Sequence, residues 1–251
     1  MSNLDALVRR VDEDRWLASR FAARAARTRL IALYALNYEI ARTAETVTQA
    51  PIGDIRLAWW RDAVEEIRAG KTPRTHPVVQ AVAELVRAGA LPRAPLDALI
   101  EARGKDLDAA PFATWDELDR YVDATAGGMM RLASAACGAE ALEALVNPAA
   151  RAWGLLGLLR AAPVWRARGR RLTPPDVTLA DLLDRARAAH RALRDLVVPA
   201  TLFPALGYVA LAPRYLSALS ASGHDLERDL VTPSLISRQL TLVAASATGQ
   251  F

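Results

Sequence analysis

Nowhere does this sequence alternate Val, Ile or Thr with polar residues at the short, regular intervals that a sheet requires. Its apolar residues return at helical intervals instead. Leu33, Leu36, Ile40 and Val47 fall along one stripe if Asp14 to Val47 forms a single long helix, and that stripe then faces a core. Ala, Leu and Arg dominate the composition. The expected fold class is all-α.

Pro51-Ile52-Gly53 reads as a turn, with Asp54 as N-cap of a helix that carries Leu57, Trp60, Val64 and Ile67 and that Gly70 closes. Further helices are expected over 75–88, 93–108, 114–137, 139–145, 148–161, 178–195, 200–220 and 232–247, parted mostly by Pro, Gly or Asn. Gly169 to Pro175 is the clearest break, because two successive prolines cannot continue a helix. It reads as a loop inside one domain spanning 1–251, since no Gly/Ser-rich linker or fixed-period repeat is visible.

Charge and cysteine content exclude several classes. The lone Cys137 forms no internal disulfide, no Cys/His metal spacing exists, and the N-terminus lacks the apolar core of a secretory signal. A cytoplasmic protein is expected, with contact at the periphery of the inner membrane left open. The longest uncharged run, Asp195 to Arg214, matches a bilayer in length. Pro199, Pro204 and Gly207 interrupt it, so it reads as a buried helix pair rather than a transmembrane segment. The formal charge of +4 comes mainly from arginine, but acidic residues are interleaved with basic ones along nearly every helix. No nucleic-acid module is recognisable, and no nucleic-acid partner is expected.

Several segments resemble one family in order and spacing. Asp14-Arg15-Trp16-Leu17-Ala18-Ser19-Arg20-Phe21, followed by Ala32-Leu33-Tyr34-Ala35-Leu36-Asn37-Tyr38-Glu39-Ile40-Ala41-Arg42, resembles the opening helices of the squalene/phytoene synthases. Arg56 to Asp62, Tyr121 to Gly128, Leu158-Leu159-Arg160 with Gly169-Arg170, and Pro213 to Leu216 are similar to later segments of that family. The resemblance implies an isoprenoid (terpenoid) synthase-type helical bundle around a central apolar cavity. Two Asp-x-x-x-Asp motifs on facing helices would hold magnesium against prenyl diphosphates. Magnesium prefers oxygen ligands, and neutralising the diphosphate lets it depart as an allylic cation forms. Carboxylates four residues apart project from one helix face and can share a metal cluster.

Laid on this chain, the first motif falls on Ala41 to Glu45, where only Glu45 can ligate. The second falls on Ala161 to Trp165, where both carboxylate positions are apolar and Pro163 removes an amide donor and kinks the helix. Asn37, Glu39 to Arg42, Trp59 to Asp62 and Leu159-Arg160 with Pro163 most resemble the branch that contains mitochondrial NADH dehydrogenase (complex I) assembly factors, regarded as non-synthase members. That resemblance implies a respiratory-chain or other protein partner, or an isoprenoid-like ligand, and no cofactor.

Individual residues carry two readings each. Glu39, Arg42 and Glu45 form either a polar cluster at the cavity mouth, binding an anion, or an ion pair between Arg42 and a neighbouring Glu, the latter the more ordinary outcome. Arg160 and Arg170, in the densest basic stretch, suit phosphate oxygens, although a solvated loop is equally consistent. Tyr34, Trp60, Tyr121 and Gly127 are the expected cavity lining, while Trp59, Trp153 and Trp165 divide between that role and plain core packing. Asp106, without a second acid, reads as a helix-pairing residue, and the histidines have no expected role. Two functions compete. One is a non-catalytic protein binding a partner or an apolar ligand. The other is a magnesium-dependent prenyl diphosphate transferase that recruits Glu39, Glu45, Asp62 and Asp106. A basic RNA- or lipid-surface protein is a distant third.

Overall fold

The computed structural model describes residues 3–47 and 49–251. Its elements are helices in the order α1 (Asn3–Val11), α2 (Glu13–Ser19), α3 (Arg24–Ala41), α4 (Thr43–Thr46), α5 (Ala50–Arg68), α6 (Pro77–Arg87) and α7 (Arg93–Ala102). After a 3₁₀ turn at Arg103–Leu107 come α8 (Trp115–Val122), a π-helical turn at Asp123–Gly127, α9 (Gly128–Ala136), α10 (Glu143–Ala167) and α11 (Leu179–Arg191). The chain ends with α12 (Phe203–Leu206), a 3₁₀ turn at Gly207–Leu211, α13 (Ala212–Leu219) and α14 (Leu235–Thr248). Among the described residues the sole extended pairing is an isolated antiparallel bridge between Val197 and Gln250.

The single helix expected from Asp14 to Val47 is three helices. After α2 the amides of Arg20, Phe21 and Ala22 each bond three residues back, and Ala23 turns extended. Phe21 thereby meets Phe203 edge-on, with ring centroids 5.0 Å apart. A tertiary contact thus overrides a periodic pattern. The second break, at Arg42, coincides with Thr43 and Thr46, whose hydroxyls bond back to main-chain carbonyls and loosen the helix there. Three of the four residues of the stripe, Leu33, Leu36 and Ile40, are buried on α3 with Leu30, Ile31 and Tyr34, while Val47 lies beyond α4 in extended backbone and is half-buried. Burial of each aliphatic side chain of this kind stabilises by about 1.5–3 kcal/mol.

Pro51 does not turn the chain but sits in the first turn of α5, where its missing N–H has no partner to lose. The N-cap is therefore Gln49 rather than Asp54. The helices expected over 139–145 and 148–161 are one, because α10 continues through both Pro148 and Pro163 to Ala167. Burial of Leu145, Val146, Ala149, Ala150, Trp153, Leu156 and Leu159 along its length offsets the lost amide donors. The 200–220 span is divided between α12, a 3₁₀ turn and α13, and from Leu202 to Ala212 every residue is buried. This is the uncharged run of bilayer length, and it forms the middle of the core. No described helix is long and apolar enough to cross a membrane. The loop after Gly169 lies where the double proline places it.

Two glycines allow the close approaches that shape the cavity. A Cβ on Gly154 of α10 would stand 2.6 Å from a methyl of Val122, where α10 crosses the junction of α8 and the π-helical turn. A Cβ on Gly53 of α5 would stand 2.3 Å from a methyl of Leu107, so this glycine lets the turn bearing Arg103 and Asp106 press against α5.

Candidate functional site

A cavity of about 490 Å³ opens where the C-terminal end of α3, α4, the turn at Arg103–Leu107, α8, the π-helical turn and α10 converge. Ala41 and Glu45 face it from one side. Arg160, Ala161 and Trp165 face it from α10, with Trp153, Gly157 and Leu158 on the same helix surface. Tyr121, Thr125 and Ala126 close the wall, the last two from the π-helical turn, which shifts the side-chain register locally.

The polar content of this cavity is set by arginines that engage its acids. Asp12 caps α2 by accepting from the amide of Arg15, and its other oxygen accepts from Arg15 Nη1 at 2.7 Å. The Arg15 guanidinium lies over the ring of Tyr208, 4.9 Å from its centroid. Burial works against the charge of Arg15, but Asp12 and Tyr208 more than offset it and hold the pKa above the usual arginine value. In the turn after α7, Asp106 accepts from Arg103 Nη1 at 3.0 Å and from the Tyr121 hydroxyl at 2.7 Å, while Arg103 Nη1 also donates to the Tyr121 oxygen at 2.7 Å. Burial, above all, raises the pKa of Tyr121, so its hydroxyl stays a donor.

Arg160 donates to Asp14 at 3.4 Å and lies 4.2 Å from the centroid of Tyr215. Asp14 also accepts from Tyr215 Oη at 2.6 Å and from Arg238 Nη1 at 2.8 Å. One buried carboxylate therefore ties α2 to α10, α13 and α14. Glu45 borders the cavity as an exposed acid.

The residues expected from sequence divide cleanly. Ala41, Glu45, Arg160, Ala161, Trp165 and Tyr121 share this cavity. Glu39 and Arg42 do not reach it: they pair with each other at 3.5 Å, and Glu39 edges a separate depression beside α1 and His76. The ion pair, not the anion cluster, is what forms. Arg170 donates to the carbonyls of Asp106, at 2.6 Å, and Asp108, and so clasps the loop after α10 to the turn after α7. Tyr34 is fully buried behind Arg15, its ring centroid 5.9 Å from the guanidinium carbon, and is core rather than lining. Trp60 packs edge-on against Trp59 and His76, away from the cavity. Gly127 is buried against Asp123, Arg131 and Ala150 of α10 and does not border the cavity. Of the acids named for a recruited metal site, Glu45 and Asp106 border the cavity, while Glu39 and the exposed Asp62 do not.

Sequence reasoning missed Asp12, Arg15 and Arg103. Their signal was present as acid and arginine three residues apart, at Asp12/Arg15 and Arg103/Asp106, the spacing of neighbours on a helical surface.

The sequence profile of the squalene/phytoene synthases matches residues 8–197. The chain belongs to the squalene/phytoene synthase family. Within the family's fold, the chain superposes on a squalene synthase, HpnC, from Alicyclobacillus acidocaldarius with a TM-score of 0.71 at 21% identity, covering 86% of this chain and 91% of that one. It superposes on a dehydrosqualene synthase solved in complex with a ligand with a TM-score of 0.71 at 16% identity, covering 97% and 94%. The fold is that of these all-α synthases.

Sequence similarity leads to differently named relatives. The chain is 26% identical over 266 residues to NADH dehydrogenase (ubiquinone) complex I, assembly factor 6 of Bos taurus, covering 96% of this chain and 78% of the bovine protein. It is 28% identical over 173 residues to the protein of the same name from Mus musculus, covering 68% of this chain and 52% of the mouse protein.

Magnesium, the ion this family's chemistry implies, does not fit the residues that line the cavity. Among the described residues no group of three or more His, Cys, Asp or Glu side chains stands close enough to hold a metal ion. Asp12 and Asp106 already bind guanidinium groups, and Glu45 has no second free acid across from it.

Proposed function

We propose that this chain is a non-catalytic squalene/phytoene synthase family member that works without magnesium and in the manner of the assembly factors it resembles. On this reading it helps to assemble the respiratory NADH dehydrogenase by binding a partner protein or an apolar ligand through the retained helical shell. One observation carries the reading: the cavity's acids Asp12 and Asp106 are each held by an arginine, Arg15 and Arg103.

Diphosphate departure needs positive charge gathered around the leaving group, and in this family's chemistry clustered carboxylates gather it by holding metal ions. Here the positive charge is covalent and already neutralised. Freeing Asp106 for a metal would break its contacts to both Arg103 and Tyr121 and leave a guanidinium without a counterion in a half-dry site. Metal stabilisation is worth several kcal/mol of transition-state charge, and each ~1.4 kcal/mol is about tenfold in rate, so losing it removes useful turnover. The 26% identity to the bovine assembly factor, across nearly the whole chain, supports the same direction.

Deletion of the gene in its native host tests the proposal. The expected result is a fall in assembled, membrane-bound NADH:quinone oxidoreductase, restored by the wild-type gene and equally by Glu45→Ala. Normal levels of that complex in the deletion strain would refute it.

A further inference from the structure

A second, larger cleft of about 860 Å³ lies along the last turns of α10 and adjoins the central cavity at Trp165 and Leu172, which line both. Its floor is the end of α10, one side is the loop that leads into α11, and the other is the turn Gly223–Glu227 that follows α13. Trp165, Leu172, Val177, Leu179 and Leu226 give it an apolar body. Its volume lies in the range of small-molecule sites.

The charges on its rim already have partners. Arg166 pairs with Glu227. Arg171 donates to the Thr173 hydroxyl and to the carbonyls of Pro174, Pro175 and Val177. Asp225 accepts from the amide of Glu227 at 2.8 Å and pairs with Arg228 at 3.5 Å. The Thr178 hydroxyl bonds to Asp181. An ionic ligand would have to displace one of these partners.

His224 is different. Its side chain is only 9% exposed, its Nδ1 faces the Asp229 carboxylate at 3.7 Å, and its buried Nε2 has no hydrogen-bond partner. At that distance Nδ1 makes no hydrogen bond to the carboxylate, which accepts from the Asp225 amide instead, and Nε2 is left without a partner. Arg170, stacked 4.4 Å from the Trp165 centroid, likewise keeps a buried Nε–H without an acceptor. Leaving such buried groups unpaired is unfavourable.

We propose that this cleft is a binding site for a neutral amphiphile, with an apolar or aromatic body against Trp165, Leu172 and Leu226 and a hydroxyl group that hydrogen-bonds to His224 Nε2. A hydroxyl also accepts, which matches the Arg170 Nε–H. The site adjoins the central cavity and does not depend on the function proposed for it.

The test is NMR titration of the full chain with 4-propylphenol and 1-heptanol, representing aromatic and aliphatic bodies, and with propylbenzene as the hydroxyl-free control. The ring nitrogens of His224 are followed against those of His76 and His190. The expected result is a change at His224 Nε2 with at least one of the hydroxyl probes, and affinity roughly tenfold above that of propylbenzene for the phenol or the alcohol, as one buried hydrogen bond provides. In His224→Phe that gap closes, in Leu226→Trp binding is lost because the cleft is filled, and in Ala161→Trp, which fills the central cavity instead, binding is retained. Whichever body binds identifies the ligand's source class. Absence of binding by both hydroxyl probes, equal affinity for propylbenzene, a gap that persists in His224→Phe, or loss of binding in Ala161→Trp would each overturn the proposal.

Discussion

Replacing Asp14 by Ala should destabilise this protein far more than the loss of an ordinary ion pair. Asp14 keeps only 4% of its surface and accepts from Tyr215, Arg238 and Arg160, residues 201, 224 and 146 positions away. Removing it leaves Arg238, whose side chain is 5% exposed, with Glu13 alone as counterion at 2.5 Å, and leaves Arg160 without any. Breaking one partner of a buried pair costs about 3–5 kcal/mol, most of it the penalty of the stranded charge. At roughly 2–4 °C per kcal/mol for a chain of this size, the Tm should fall by about 6–20 °C. Asp14→Asn keeps an acceptor for Tyr215 and should fall between the variant and wild type. Arg238→Met in the Asp14→Ala background should recover part of the loss, because it removes the stranded guanidinium. Thermal and urea unfolding followed by far-UV circular dichroism measure all three. A loss below about 1 kcal/mol, the scale of an exposed pair, would refute the reasoning that this carboxylate holds α2, α10, α13 and α14 together.

Three further expectations follow from particular residues. His190 has its pKa lowered by burial and then by Arg194, so the unfolded chain binds the proton first. Stability should therefore fall as pH drops through the unfolded value near 6.5, and His190→Gln should flatten urea midpoints measured across that window. Gly154→Ala should destabilise by about 1–3 kcal/mol in the same unfolding assay, since its methyl meets Val122, whereas Gly157→Ala on the same helix, with open space around it, should be neutral or stabilising. Burial pushes the Cys137 thiol up to about 11, so at pH 8 it should react with a thiol reagent much more slowly than the same cysteine in urea; equal rates would contradict its packing beside α3.

The helical class was legible because the apolar period is long and strands have no supporting pattern. Boundaries failed where tertiary contacts outweigh local preference. Phe21 meeting Phe203 breaks a helix that its own sequence would continue, and the buried length of α10 carries two prolines that its sequence would not. Pro51 was misread because a proline signals both a turn and a helix start, and only the following helix decides between them.

The candidate site was partly legible for a similar reason. Ala41, Glu45, Ala161 and Trp165 were marked by the resemblance to the family's two motifs, and the fold brings both segments, from α3, α4 and α10, to one cavity. The arginines that define its charge were not, because Arg15 and Arg103 come from different elements and acquire meaning only beside Asp12, Asp106 and Tyr121. Trp60 and Gly127 show the converse. Residue types that suit an apolar cavity also suit a core, and the side of the helix they occupy depends on breaks that the period does not predict.

Calorimetric titration of magnesium into the protein, with a nonhydrolysable farnesyl diphosphate analogue present, bears most directly on the claim that arginines have replaced the metal in this cavity. No heat that depends on magnesium is expected, in wild type and in Glu45→Ala alike. A magnesium-dependent heat of binding in wild type that disappears in Glu45→Ala would contradict that claim.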